Sequence, residues 1–294
     1  MEEMVVTPGG LRPKSQVHLI ENGFYVNRNN DLLEKCKIDT HSVVQELGKI
    51  ETGIFENFTN RNSLREPVTN LMNFEDELPS PITDKWIIYS GWSNNSAVPI
   101  TFFSTNLIVP PPPETDNGQL IYIFNGIENS ALNVILQPVL QWGSSPAGGG
   151  SFWAIANWFV GAPHTGIALH GPLIRVNSGD NLQGIMILRT QFEIRFSYVS
   201  SFKGFPNADL FIDNIDELTW ANETLECYGL TQFSDYPNTL MTHMKNIEIR
   251  VGNSQALLLW EAHNDVTDNG QHCSVISNAS PGGSVALNYR RQLA

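Results

Sequence analysis

The sequence predicts an all-β protein, a two-sheet antiparallel β-sandwich behind an irregular N-terminal extension, and three observations predict it. Short β-branched and aromatic runs recur at close intervals from about residue 84 onward. Turn chemistry separates them, with 23 glycines and 17 prolines in 294 residues. Charged residues make up only 16 %, well below what long amphipathic helices carry, and helical periodicity is almost absent.

Residues 1–83 form the extension and residues 84–294 the sandwich. In the extension, Thr7-Pro8-Gly9-Gly10 is turn chemistry, and Ser15 to Ile20 reads as one short strand. His41–Ile50 reads as a short helix, and Glu75-Asp76-Glu77-Leu78-Pro79-Ser80-Pro81 as an acidic, proline-broken linker. This arm is expected to pack on the main domain or on a second copy of the chain, giving a homo-oligomer. Within the sandwich, Trp86–Trp92 and Ile100–Val109 are the first strands, the second stopped by Pro110 to Pro113, an extended polyproline connection. Next come Gln119–Phe124, Ala131–Trp142, Ser151–Val160, Leu173–Val176, Leu182–Leu188 and Phe192–Tyr198. Leu218–Tyr228, Met244–Val251 and Ala256–Trp260 close the series. Gly148 to Gly150 and Ser178-Gly179-Asp180 fall between strands, where positive φ is needed. No internal repeat is present.

The charge balance narrows the functional classes. With 17 Lys and Arg against 30 Asp and Glu, the net charge is −13, which argues against nucleic-acid partners and against anionic membranes. An acidic surface suits a protein that works in acid, where protonation relieves self-repulsion, but plain solubility is the commoner reason for one. No apolar run approaches eighteen residues, and Met1 to Met4 lacks the features of a signal peptide. The expected location is therefore the cytoplasm, or the exterior if a signal has been removed. Cys36, Cys227 and Cys273 contain no Cys-x-x-Cys pair, so one disulfide at most can form and a zinc ribbon is unsupported. Asn57, Asn94, Asn222 and Asn278 stand in Asn-x-Ser/Thr sequons. Neither a Gly-x-Ser-x-Gly elbow nor a phosphate-binding loop is present, and no metal or other cofactor is called for. Asp213, Asp216 and Glu217 could offer oxygens to Ca2+, but without a glycine-spaced loop they read as a solvated turn.

One ordered set of motifs carries a resemblance. Val109-Pro110-Pro111 is followed by Asn125-Gly126-Ile127-Glu128, Ile135-Leu136-Gln137, the aromatic stretch Phe152–Phe159, Ile174 to Asp180 with its Ser-Gly-Asp turn, and Ala221–Tyr228. Across about residues 84–260 this order resembles the glutamic peptidases (eqolisins, peptidase family G1), acid peptidases on a concanavalin-like jelly-roll sandwich. The resemblance places Gln137 at the family's catalytic glutamine and Glu226 at its glutamate. It departs from the family at Asn157, where an acidic residue is expected, and at Gly126-Ile127-Glu128-Asn129 in place of Gly-Ile-Asp-Gly.

Strand alternation then gives the candidate chemistry. Ile135, Gln137 and Val139 share one face, and Asn222, Thr224, Glu226 and Tyr228 share another. Pro138 removes a ladder donor, so a bulge or a sheet edge is expected beside Gln137. A glutamate walled by Trp153 and Trp158 would have its ionised form disfavoured and could serve as general acid or base. The Gln137 amide could orient water and donate to an oxyanion if it lies within one water of Glu226. Trp153, Asn157, Trp158, Asn222 and Tyr228 are the expected substrate contacts. The functional expectation is an acid hydrolase acting on a peptide or another small molecule. The alternatives are a lectin-like protein binding glycans on Trp142, Trp153, Trp158, Tyr228 and Trp260, or a non-proteolytic acid–base enzyme on the same scaffold.

Overall fold

The computed structural model of the chain describes residues 2–50, 85–161, 166–264 and 270–289. Among them are twenty-two strands and no α-helix. The N-terminal segment supplies β1 (Met4–Thr7), β2 (Gly10–Pro13), β3 (Val17–Leu19), β4 (Phe24–Asn29), β5 (Leu32–Lys37) and β6 (Val43–Lys49). There follow β7 (Lys85–Ser93), β8 (Ile100–Ile108), β9 (Leu120–Asn129), β10 (Val134–Ser145), β11 (Gly148–Gly161), β12 (Ala168–His170) and β13 (Ile174–Arg175). Then come β14 (Asn181–Phe192), β15 (Arg195–Phe202), β16 (Leu210–Ile215), β17 (Leu218–Tyr228) and β18 (Met241–Val251). The chain closes with β19 (Ser254–Gln255), β20 (Glu261–His263), β21 (His272–Ser277) and β22 (Gly283–Asn288).

These strands form two large sheets and one free hairpin. The first sheet runs β20-β7-β17-β9-β10-β11-β12-β3, with β13 also on β11. The second runs β21-β22-β18-β8-β14-β15-β16-β4-β5-β6, with β19 on β18. Nearly all pairings are antiparallel. The two parallel ones, β12 with β3 and β16 with β4, are where the N-terminal segment enters each sheet. Residues 17–49 thus extend both sheets of the sandwich. The helix expected over His41–Ile50 is instead β6, paired to β5, because Val43 and Val44 favour an extended backbone and β5 offers a free edge. The acidic proline linker at 75–81 lies outside the described residues.

The main core lies between the sheets, where Ile88, Phe103, Ile123, Leu136, Ile155, Met186, Tyr198, Leu225 and Met244 interdigitate. A second apolar layer covers the opposite face of the first sheet: Tyr122, Phe124, Ile135, Val139, Trp158, Val160 and Tyr228. Two strands show the consequence. In β14, on the second sheet, buried positions alternate with more exposed ones. In β9, on the first sheet, all ten positions are buried, which requires cover on both faces. One cover is the other sheet. The β1–β2 hairpin, which belongs to neither large sheet, contributes the other, with Val6 packed on this second layer.

Candidate active site

The face beneath the hairpin carries Glu226, Gln137, Trp158, Asn222 and Tyr228, as strand parity predicts. Glu226 is completely buried. The Gly9 amide N–H donates to both of its oxygens, at 2.8 Å to Oε1 and 3.1 Å to Oε2. The Tyr228 hydroxyl donates to Oε1 through a very short hydrogen bond. Burial pushes the Glu226 carboxyl up from 4.5 to about 7, while Tyr228, Gly9, Arg12 and Trp86 draw it back down. This buried acid is thereby held near neutrality, the range in which proton transfer either way is accessible.

Arg12, on β2, is the hairpin's second anchor. Its side chain is fully buried: Nε donates to Thr7 Oγ1 at 2.6 Å, and Nη1 donates to the carbonyls of Gly161, Gly166 and Ile167 at 3.2, 3.0 and 3.2 Å. Burial lowers its pKa to about 10, opposed by the nearby Tyr228, Glu226 and Tyr122, so the guanidinium remains charged at neutral pH. Beside the hairpin runs a cleft of about 700 Å³ whose walls include Val5, Val6, Leu120, Ser145, His170 and Tyr228. Beyond the turn at Thr7 to Gly10, no local signal marks Gly9 and Arg12 as site residues, because their partners in the sheet lie about 150 to 220 positions away.

Gln137 is also completely buried, and among the described residues neither of its side-chain polar atoms has a hydrogen-bond partner. The ladders set it apart from Glu226. Across β17, β9 and β10, Glu226 pairs with Tyr122 and then Gln141, four residues along from Gln137. At about 3.3 Å per residue this is roughly 13 Å of strand. No hydrogen bond joins the two side chains. The row of Gln137 instead leads across Gly126 to Asn222. A Cβ on Gly126 would stand 2.8 Å from Ile135 Cδ1 and 3.0 Å from Asn222 Oδ1, so any larger residue there would push those two side-chain ends aside. The sheet nonetheless curls along the diagonal from Glu226 to Val160: Gly9 touches the first, and its built Cβ would stand 3.2 Å from Cγ1 of the second. Gln137 pairs with Trp158, next to Val160 on that diagonal.

Other expectations fall differently. The expected bulge or sheet edge at Pro138 is not there: β10 is a central strand, its pairing with β11 runs through that residue, and its pairing with β9 skips Gln137 and Pro138 but resumes at Val139 in the same register. The register slip beside a candidate residue lies at Leu225/Glu226, where β17 meets β7. Trp153 and Asn157 have the opposite parity from Trp158 and face the other sheet. Trp153 stacks edge-on against Trp142 in the main core. Asn157 donates to the Ala208 carbonyl at 2.6 Å and accepts from the Ser200 hydroxyl at 2.6 Å. Trp142, Trp153, Trp158 and Trp260 are all buried, so their rings serve as core rather than as an open platform. Asn222 is fully buried, accepting from Thr224 and donating to Glu128 at 3.4 Å. Glu128, buried on the same face, is a polar neighbour that the sequence reading did not assign. Asp216 is held by Arg28 and Arg195 rather than by solvent alone. All three cysteines are free and buried.

No family model and no curated protein matches the chain. Among solved structures it is similar to scytalido-glutamic peptidase with a transition-state analog inhibitor, at 11 % identity and a TM-score of 0.45. A complex of the same peptidase with a peptide-based analog gives 13 % and 0.42. SCP-B, of the eqolisin family, bound to the tripeptide Ala-Ile-His, gives 12 % and 0.39. Each comparison covers 70 % of this chain and 98 % of the other. The likeness is one of architecture and assigns no residue a role. No described helix is long and apolar enough to cross a membrane.

Proposed function

We propose that this face is a polypeptide-binding groove and that the chain is a glutamic-peptidase-like hydrolase with Glu226 as general acid and base. The observation that carries this reading is the Gly9 amide on the Glu226 carboxyl. A main-chain N–H already lies within 3.1 Å of both oxygens of a buried acid held near neutrality. A bound substrate would present a peptide group in the same place. The ionised carboxyl takes a proton from an attacking water and returns it to the leaving nitrogen, while the Gln137 amide donates to the oxyanion. Trp158 and Tyr228 wall the groove and exclude water. The hairpin must move aside for a substrate to enter.

The test is peptide and casein cleavage between pH 3 and 8 by wild type, Glu226→Gln, Gln137→Ala and Arg12→Ala. Arg12→Ala, with a weakened hairpin, is expected to cleave faster than wild type. Activity should decline as pH falls below about 7 and the carboxyl becomes protonated, and Glu226→Gln should abolish it. Cleavage that persists in Glu226→Gln, or no cleavage by wild type and Arg12→Ala at any pH, removes the hydrolase reading.

A further inference from the structure

We propose that the carbonyl cage around Arg12 is a guanidinium-selective subsite of the groove. Its ligand is a polypeptide segment that places a glycine amide on Glu226 and an arginine three residues later. This inference rests on the reading of the face as a polypeptide-binding groove.

The cage is built from acceptors. Three main-chain carbonyls, those of Gly161, Gly166 and Ile167, converge on one nitrogen of Arg12. They converge because the Gly161 amide bonds back to the Ile167 carbonyl at 2.7 Å, closing the neck between β11 and β12. An apolar side chain in this position would leave buried carbonyls unpaired, and a carboxylate would be repelled by them. A lysine ammonium is a compact point donor without the planar fork that Arg12 uses to reach Thr7 and the carbonyls together. The Glu226 carboxyl and the net charge of −13 favour a basic ligand over an acidic one. The position over Glu226 selects just as sharply. Gly9 has φ +88°, and a Cβ on it would stand 3.2 Å from Val160 Cγ1, so the ligand residue there is glycine.

The present occupant is exchangeable in principle. The β1–β2 hairpin shares no ladder with either large sheet, and an isolated two-stranded hairpin is marginal in water. Its hold on the groove includes the Gly9 amide, the Arg12 fork and apolar contacts such as Val6. The same contacts are available to a second segment of like sequence once this one is loosened.

The experiment uses the full chain and a labelled synthetic peptide with the sequence of residues 5–14, Val-Val-Thr-Pro-Gly-Gly-Leu-Arg-Pro-Lys, read by fluorescence anisotropy. Arg12→Ala is expected to bind this peptide about tenfold or more tightly than wild type, whose own hairpin competes. Replacing the peptide's arginine by citrulline, its neutral isostere, should weaken binding to Arg12→Ala by about tenfold or more. Equal affinity for the two peptides, or binding of neither, overturns the proposal. If Arg12→Ala does not fold, wild type supplies the measurement: excess arginine peptide should speed amide exchange over residues 4–13, and the citrulline peptide should not. Unchanged exchange with both peptides then overturns it. None of these readouts needs cleavage. A chain that prefers the arginine peptide but cleaves nothing keeps the cage and loses the hydrolase reading, and one that cleaves without such preference does the reverse.

Discussion

Two glutamates three residues apart on β17 are both completely buried, yet the two faces of the strand treat them differently. Glu223 points into the core between the sheets, where the Thr105 hydroxyl on the second sheet donates to Oε1 and Oε2 has no partner among the described residues. Its neighbours are equally spare: Ser90 and Asn125 flank it on β7 and β9, and the Cys273 thiol on β21 is the titratable group beside it. Burial therefore holds its carboxyl well above 4.5, with only the Thr105 hydroxyl opposing. Glu226 points under the hairpin, where a hydroxyl, an amide, a guanidinium and an indole return its pKa to about 7. Burial alone produces a carboxyl that stays neutral. Burial with donors produces one that can exchange a proton at working pH.

The largest effect should come from stripping the donors on the Glu226 side. Arg12→Ala removes a buried charge and takes its donor from the carbonyls of Gly161, Gly166 and Ile167, of which the last keeps the Gly161 amide, so it should cost about 3 kcal/mol of stability near pH 6, read by urea unfolding. A loss below about 1 kcal/mol would mean that the hairpin contributes little to the fold and that the cover on β9 is only nominal.

Next come the two carboxyls themselves, compared by the slope of stability against pH. Each is raised in the fold above its ordinary value of 4.5, so each contributes stability that is complete below about pH 4.5 and lost as pH climbs through the folded value. Each proton gives a slope of about −1.4 kcal/mol per pH unit within its window. For Glu226 the window closes near pH 7, a total on the order of 3 kcal/mol. The Glu223 window begins at the same pH and runs up to a folded value that burial has raised well above 4.5. Glu226→Gln should therefore flatten the curve between about pH 4.5 and 7, whereas Glu223→Gln should flatten it upward from about pH 4.5 through that raised value. Identical curves for the two variants would erase the distinction between the faces. A smaller effect is expected from Tyr228→Phe: losing the hydroxyl that favours the charged form should move the Glu226 titration up by about one unit, seen in the pH profile of cleavage or by carboxyl NMR. A downward shift would show that the hydroxyl favours the neutral acid instead.

Alternation explains what could be read beforehand. The strands from β7 to β11, together with β14, β15, β17 and β18, were visible as aromatic and β-branched runs, and parity placed Asn222, Thr224, Glu226 and Tyr228 on one face. Parity also separates Trp153 and Asn157 from Trp158, so their placement under the other sheet was available from counting alone. Register was not available. Nothing local shows that Gly126 and Asn222 share the row of Gln137 while Glu226 is set against Tyr122, because a slip by two residues preserves every face and changes every neighbour. The hairpin was hidden for a related reason: Thr7-Pro8-Gly9-Gly10 announces a turn, but its acceptor lies 217 residues away. Strands such as β21 and β22, six residues each and mixed in composition, are specified by the strands they pair with rather than by their own propensity.

The smallest expected effect tests the Glu223 side directly. Thr105 stands on β8 of the second sheet and Glu223 on β17 of the first, so their hydrogen bond ties the two layers together. Thr105→Val keeps the shape and removes the donor, leaving a fully buried carboxyl without its hydroxyl partner. The neutral acid loses one hydrogen bond, a cost of about 1 kcal/mol that should appear even at pH 4. The ionised acid loses the group that opposed its desolvation, so the cost should grow once pH passes the wild-type folded value. Stability of the variant followed from pH 4 upward should thus diverge further from wild type once Glu223 begins to ionise. A constant difference would mean that the hydroxyl serves the neutral acid alone and that Glu223 never ionises within the fold.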